Sequence, residues 1–326
     1  MDDYLQNWYP VKINKDSQTN TVKWAYLPDR FVEPFFFNTL SKSRSHKFNN
    51  LYNVYTDIEI YKSEITLQQN IIPPSAFIFH ISRCGSTLIG QMLAALPGSI
   101  VISEAEILDD IINFEMNDET KYRFEQLEIF RDAIGYFGRI RFGIENNLYI
   151  KLDSWHIMRY DFINTAFPRT PKVFLYRNPL EVILSHTVSR GGQMVPGNLK
   201  MDDFIYKPFE WKVYELQKYS VFVLYNFLKA GIEVVKREEG KLMLLNYSQL
   251  PAAVWEQFYK FTGIGYNEEQ ISIMKASAKA HSKNKNVEYK GDSYPDENEL
   301  GEEILELINR YLVPLYIELE ELRKLF

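Results

Sequence analysis

The chain has 326 residues, 46% of them hydrophobic and 25% charged, with 43 acidic against 37 basic side chains and a formal net charge of -6. That balance excludes broad electrostatic binding of nucleic acid or highly sulfated glycans and leaves room for a local basic pocket. The opening MDDYLQNWYP is acidic where a signal peptide is basic and then apolar, and apolar runs such as SVFVLYNFL from Ser220 are too short to span a bilayer, so a cytoplasmic protein with no membrane span is expected. The single cysteine, Cys84, can form neither an internal disulfide nor a multi-thiolate metal site.

Residues 1–72 mix aromatic residues with turn formers, as in NKDSQTNTVKW, without a repeated strand-helix alternation, and IIPPS at Ile71 to Ser75 then punctuates the chain. A boundary is placed there, between an N-terminal accessory segment (1–72) and an α/β domain (73–326). From Ser75 the pattern becomes strand and helix in turn. AFIFHI reads as a strand, Thr87 to Ala95 as a helix, SIVIS as a strand, DETKYRFEQLEIFRDAIGYF as helix and NLYIKL as a strand. A helix from Ser154 to Phe167, the strand KVFLY, a helix from Pro179, a helical stretch from Pro208 to Ala230 and the strand KLMLLNY follow. Short apolar strands alternating with helices predict a parallel sheet covered on both faces, a three-layer P-loop-like α/β fold with an N-terminal appendage. After Gly265 the pattern gives a helix to Ala280, a polar loop, and an amphipathic helix with Leu305, Ile308, Leu312 and Leu315 inward and a kink at Pro314.

In such a sheet, ligands collect at the carboxyl ends of the strands. The first strand delivers Ser82, Arg83, Cys84, Gly85, Ser86 and Thr87, the second Ser103 and Glu104, the third Lys151 and Asp153, the fourth Arg177 and the fifth Tyr247. Ionisable groups beside buried strands need partners or a ligand, and an anionic ligand supplies the cations with theirs. Gly85 lets the backbone come close, and the amides of Gly85, Ser86 and Thr87 open a helix whose dipole favours negative charge. The loop is not a Walker A motif, since it has one glycine and no lysine before Ser-Thr.

SRCGSTL resembles the 5′-phosphosulfate loop of sulfotransferases that use 3′-phosphoadenosine 5′-phosphosulfate (PAPS), and VFLYRNPLEVILSH resembles their 3′-phosphate motif, with Arg177 followed eight residues later by Ser185. The resemblance runs from about Ala76 to Asn286. Its style is closest to the tyrosylprotein sulfotransferase branch: Arg83 stands where that branch has Arg, Glu104 where it has its general base, and Lys151 lies 26 residues before Arg177. Where cytosolic small-molecule enzymes have a catalytic His, this chain has Asp153. LLNYSQLPAAVWEQFYKFTGI resembles a later segment whose tyrosine, here Tyr247, lies near the adenine, and SAKAHSKN sits where the family closes a loop over the nucleotide, with Ser282, Lys283 and Lys285 as candidates.

The resemblance implies sulfuryl transfer from PAPS to an acceptor hydroxyl or amine, releasing 3′-phosphoadenosine 5′-phosphate (PAP). Glu104 takes the acceptor proton; Arg83, Lys151 and the loop amides stabilise negative charge. No metal is required by this scheme. Glu104 has a second reading as a first-turn acid of the helix EAEILDDIINF, with Glu106 and Asp153 as backup bases. Lys151 and Arg83 have one as a structural ion network, and Ser185 as a helix cap. His80, His156 and His186 read as satisfied structural histidines. Cys84, beside a helix N-terminus and Arg83, is expected to have a depressed pKa. The glycine-rich SRGGQMVPGNLK is a candidate acceptor lid or a plain loop. A small-molecule kinase using ATP is the alternative function, and a nucleotide-binding module without catalysis a third. The acceptor class stays open among small molecules, glycans, lipids and peptides.

Overall fold

In the computed structural model, which describes residues 7–15, 20–58, 61, 70–113, 121–238, 240–281, 284–288 and 295–325, the N-terminal segment forms an antiparallel sheet in the order β1-β2-β3. Its strands are β1 (Trp8–Lys15), β2 (Asn20–Tyr26) and β3 (Val54–Asp57), with helices α1 (Phe36–Ser43) and α2 (Lys47–Leu51) between the last two. Val22 and Trp24, two apart on β2, are both buried, the period expected of a strand with one face on a core.

The main sheet follows in the predicted alternation: β4 (Pro74–His80), α3 (Ser86–Ala95), β5 (Ser99–Ser103), α4 (Glu106–Ile112), α5 (Lys121–Phe137) and β6 (Asn147–Lys151). A 3-10 turn over Ser154–Arg159 leads into α6 (Tyr160–Ala166), then β7 (Lys172–Tyr176), α7 (Pro179–Val188), α8 (Leu216–Arg237) and β8 (Leu242–Asn246). All pairings are parallel, in the order β5-β6-β4-β7-β8. Every residue of β5, β7 and β8 is buried, and their middles are continuous apolar runs with polar residues only at the ends. The chain goes from β4 out to β5, returns to β6 beside β4, and crosses to β7 on the other side. β4 is therefore the switch point, and a crevice opens beyond its carboxyl end.

Two short helices, α9 (Ala253–Glu256) and α10 (Phe258–Thr262), precede α11 (Glu268–Ala278), which packs on α3. A small hairpin of β9 (Ala280–His281) and β10 (Asn284–Glu288) follows. The last helical stretch is α12 (Glu302–Leu307), a π turn over Ile308–Leu312, and α13 (Val313–Arg323). The expected disturbance at Pro314 thus takes the form of a wide turn just before it, where the missing proline N–H leaves the ordinary ladder incomplete. Ile308, Leu312 and Leu315 are buried as expected; Ile304 takes the inward place given to Leu305, which is half-buried.

The helix expected from Pro208 begins only at Leu216 and runs past Ala230 to Arg237. Phe209 and Trp211 instead pack as irregular chain against Phe222. Gly231 does not end the helix, because it is the point of closest approach to β7: a Cβ there would lie 2.3 Å from Cε1 of Phe174.

The N-terminal sheet shares the core of the larger one, since β1 packs on α4 and α5. Tyr9 stacks with Phe137 at 6.0 Å between ring centres, Trp24 meets Tyr136 edge-on at 5.0 Å, and the Arg139 guanidinium lies 4.7 Å over the Tyr9 ring. At the other side, Glu320 on α13 accepts hydrogen bonds from Tyr176 Oη and, at 2.7 Å, from Asn246 Nδ2. That carboxylate ties together the last residues of β7 and β8, immediately before Arg177 and Tyr247. No helix among the described residues is long and apolar enough to cross a membrane.

Gly231→Ala is expected to destabilise the protein by about 1–3 kcal/mol, the range for overpacking a filled core. Urea denaturation followed by far-UV circular dichroism checks it; an unchanged midpoint would show that Phe174 can yield freely.

Candidate active site

Beyond the end of β4 lies a cavity of about 570 Å³, within the range of small-ligand sites. Its walls come from five strand ends and from the N-terminal segment. Of the residues expected to bind a donor, Arg83, Gly85, Ser86, Thr87, Arg177, Ser185 and Tyr247 all line it; of the expected bases, Glu104 and Asp153 do. Ser282 and Lys283 lie outside the described residues. Glu106 is exposed and pairs with Lys12 of β1 at 2.6 Å, so it faces the N-terminal sheet.

The turn after β4 is held in an unusual backbone shape. Ser82 and Arg83 have φ of 75° and 51°, and Gly85, which caps α3, has φ of 85°. Left-handed residues other than glycine are uncommon and persist only where neighbours hold them. Here the Ser82 N–H donates to His80 Nδ1 at 3.1 Å, Gln193 Nε2 donates to Ser82 Oγ at 2.7 Å, and Arg177 Nη1 donates to the Arg83 carbonyl at 3.2 Å. Gly85 has a second reason to be glycine, since a Cβ would sit 2.5 Å from Leu250 Cδ1 and 2.8 Å from Tyr247 Cδ2.

Cys84 departs from expectation. Its thiol is fully buried against the sheet, 3.4 Å from the Leu175 carbonyl, and burial pushes its pKa up to about 11. A helix N-terminus favours a thiolate only where the sulfur faces the open end; this one points into the core, and desolvation wins. Any part Cys84 has in anion binding falls to its backbone.

Arg177 is buried and held from three sides. Its Nε and Nη2 meet Glu181 Oε2 at 2.7 and 2.6 Å, and its guanidinium lies 3.7 Å over the ring of Tyr247. Asn178 caps α7 through Leu180 N–H, and Pro179 fixes its first turn, so Ser185 is presented to the same cavity two helical turns on.

On the opposite wall, Glu104 has φ of 55° and donates its backbone N–H to the Lys151 carbonyl at 2.8 Å. Its carboxylate pairs with Lys151 Nζ and lies 3.3 Å from His80 Nε2. Burial opposes ionisation of Glu104, but Lys151 and the hydrogen bond from His80 outweigh it and hold its carboxyl below the ordinary range. Lys151 itself is fully buried behind Glu104, with Nζ 5.0 Å from the ring centre of Phe35, and does not line the cavity. Asp153 has the reverse balance: burial first, then the charges of Glu104 and Asp109, push its pKa up despite His156 and Lys151.

His156, beside this wall, is satisfied at both nitrogens, with Nδ1 accepting the Asp153 N–H at 3.2 Å and Nε2 at 2.8 Å from Asp109 Oδ1. Asp109, Asp153 and His156 come close enough for a cation in outline, yet neither imidazole nitrogen has a free lone pair to offer. His186 accepts the Gly191 N–H at Nδ1, bracing the glycine-rich loop. That loop, with Gly191, Gly192, Gln193, Asn198 and Leu199, does line the cavity.

Sequence reasoning missed Phe35, Trp155, the bond from Gln193 to Ser82 and the contact between His80 and Glu104. Phe35 comes from the N-terminal segment: Phe36 is buried against Phe137, Phe37 is exposed, and Phe35, just before α1, turns into the cavity.

No protein-family model matches the chain, and no curated protein matches it. Among solved structures, the sulfotransferase STF9 from Mycobacterium avium aligns over 79% of this chain and 80% of that one, at 11% identity and a TM-score of 0.47. The sulfotransferase domain of the Synechococcus PCC 7002 olefin synthase aligns over 79% and 96%, at 15% identity and a TM-score of 0.43. Mouse sulfotransferase SULT7A1, complexed with PAP, aligns over 82% and 96%, at 11% identity and a TM-score of 0.42. At this distance the likenesses carry no residue role to this chain.

Because the folded state favours the protonated form of Asp153, its carboxylate costs stability only above the ordinary carboxylate range, and the cost is complete above the raised value. Asp153→Asn is therefore expected to melt with the wild type in acid and to gain a few degrees as pH rises, levelling off beyond that value. Thermal denaturation across pH checks this; a gap that is constant with pH would rule it out.

Proposed function

We propose that the protein transfers a sulfuryl group from PAPS to an acceptor hydroxyl or amine and releases PAP. The observation that carries this reading is one cavity with two unlike walls. On one side Arg83, the amides opening α3, Arg177 and Ser185 offer two separate sites for anions; on the other, Glu104 stands as an ionised carboxylate. A donor with phosphate at two positions fits the first wall, and an acceptor that must lose a proton fits the second.

In the reaction the acceptor oxygen or nitrogen attacks sulfur, the bond from sulfur to the bridging phosphate oxygen breaks, and PAP leaves with that electron pair. Glu104 takes the acceptor proton. Arg83, whose Nη2 donates to the Ser189 carbonyl, and the amides of Gly85, Ser86 and Thr87 bear the charge that grows on the sulfuryl and bridging oxygens. Arg177 and Ser185 hold the 3′-phosphate, which displaces Glu181 from the guanidinium, and Tyr247 flanks the adenine. Lys151 acts through Glu104, keeping it ionised and in place. Arg83 and Glu104 together fit the tyrosylprotein branch in style, while Asp153 is a second carboxylate near the acceptor. The kinase alternative lacks the lysine that a Walker-type loop uses on its phosphates.

Calorimetry with PAP, beside ATP and ADP with magnesium, tests the donor. PAP is expected to bind without metal, and Arg177→Ala to weaken it by about 10- to 100-fold, the scale for losing charge-assisted phosphate contacts. A preference for ATP with magnesium would move the protein to the kinases. Glu104→Gln is expected to keep PAP affinity and lose about 10²- to 10⁴-fold in turnover of labelled PAPS with any acceptor found.

A further inference from the structure

His80, the last residue of β4, touches both halves of the site. It is 4% exposed, and its ring lines the cavity. Nδ1 accepts the backbone N–H of Ser82 at 3.1 Å, which leaves the proton on Nε2; that N–H faces the Leu152 carbonyl at 2.9 Å and Glu104 Oε1 at 3.3 Å. Burial above all favours the neutral ring, so one nitrogen accepts and the other donates. The charged and titratable neighbours of Glu104 are Lys151 from β6, His80 from β4 and Asp153 just after β6.

The bond to Ser82 fixes the first left-handed residue of the phosphate loop. At the other end of the same rigid plane the Nε2–H meets the Leu152 carbonyl and, at 3.3 Å, the Glu104 carboxylate. A histidine serving only as filler would need neither, and an apolar side chain in its place would leave the Ser82 N–H buried without an acceptor. We propose that His80 is a positioning residue that couples the donor loop to the proton-accepting carboxylate. A donor seated on the loop acts on Ser82, Ser82 on the ring through Nδ1, and the ring on the carboxylate through the Nε2–H shared between the Leu152 carbonyl and Glu104. The coupling rests on the reading of Glu104 as the base.

Two substitutions separate the ends. In His80→Asn the side-chain oxygen takes the place of Nδ1 and keeps the acceptor for Ser82, but the donor to Glu104 is lost. In His80→Gln the amide nitrogen takes the place of Nε2 and keeps that donor, but the acceptor is lost. His80→Gln is expected to weaken PAP binding by about tenfold in calorimetry, and His80→Asn by no more than about twofold. The carboxyl signal of Glu104 in ¹³C-glutamate-labelled protein, assigned with Glu104→Gln, is expected to titrate at higher pH in His80→Asn and to stay put in His80→Gln, since a donor to a carboxylate lowers its pKa.

In the wild type, ¹⁵N spectra are expected to show His80 protonated on Nε2 and shifting on addition of PAP. If PAP binds but the variants move both readouts alike, or the His80 signals ignore PAP, the coupling is overturned and the donor reading stands. If the wild type does not bind PAP, both fall.

Discussion

A fully buried lysine at the end of a central parallel strand is the constraint from which the site follows. Lys151 cannot be left uncompensated at that depth, because removing an ammonium from water costs several kcal/mol even after relaxation. The nearest chain able to bring a carboxylate is the turn after β5, the neighbouring strand. Glu104 does so only by taking a left-handed backbone and bonding its N–H to the Lys151 carbonyl. The ion pair therefore sets the position of the carboxylate, and that position is the cavity wall. One residue serves as counter-ion on its inner side and lines the cavity on its outer side.

The opposite wall of the cavity is built on a similar plan. Ser82 and Arg83 hold strained conformations, and each is fixed by a bond from a different element: His80 from β4, Gln193 from the glycine-rich loop, Arg177 from the end of β7. The strain is distributed over parts that are themselves anchored, since Glu320 clamps the ends of β7 and β8 from behind. A loop so held presents its amides to an anion with little further ordering, which is what electrostatic preorganisation requires.

Much of this was legible in the sequence because it is local. Five apolar runs marked the five parallel strands, and glycine before Ser-Thr marked the strand-helix turn that lines the cavity. What was not legible depends on contacts between distant segments. Nothing in the run Phe35-Phe36-Phe37 tells which ring enters a core, a cavity or solvent. The place of Gly231 as a contact point with Phe174 cannot be told from a helix stop without the sheet. For Cys84 the local argument, a helix N-terminus beside an arginine, was sound in direction and lost to burial, because the side chain points into the sheet. His80 read as a core histidine, and it is buried; its partner Glu104 lies 24 residues on and meets it only through the sheet order.

Phe35 shows how the N-terminal segment takes part in the cavity. Its ring lies over the Lys151 ammonium and walls the cavity beside Glu104, so an apolar surface covers the fully buried lysine of the pair. Lower local polarity strengthens both the ion pair and any hydrogen bond made to the carboxylate. The segment can hold that ring in place because Phe36 is locked into the shared core with Phe137, and the aromatic contacts of Tyr9 and Trp24 extend that core across the sheet boundary. The strands place the charges, and the N-terminal segment sets the medium in which they act.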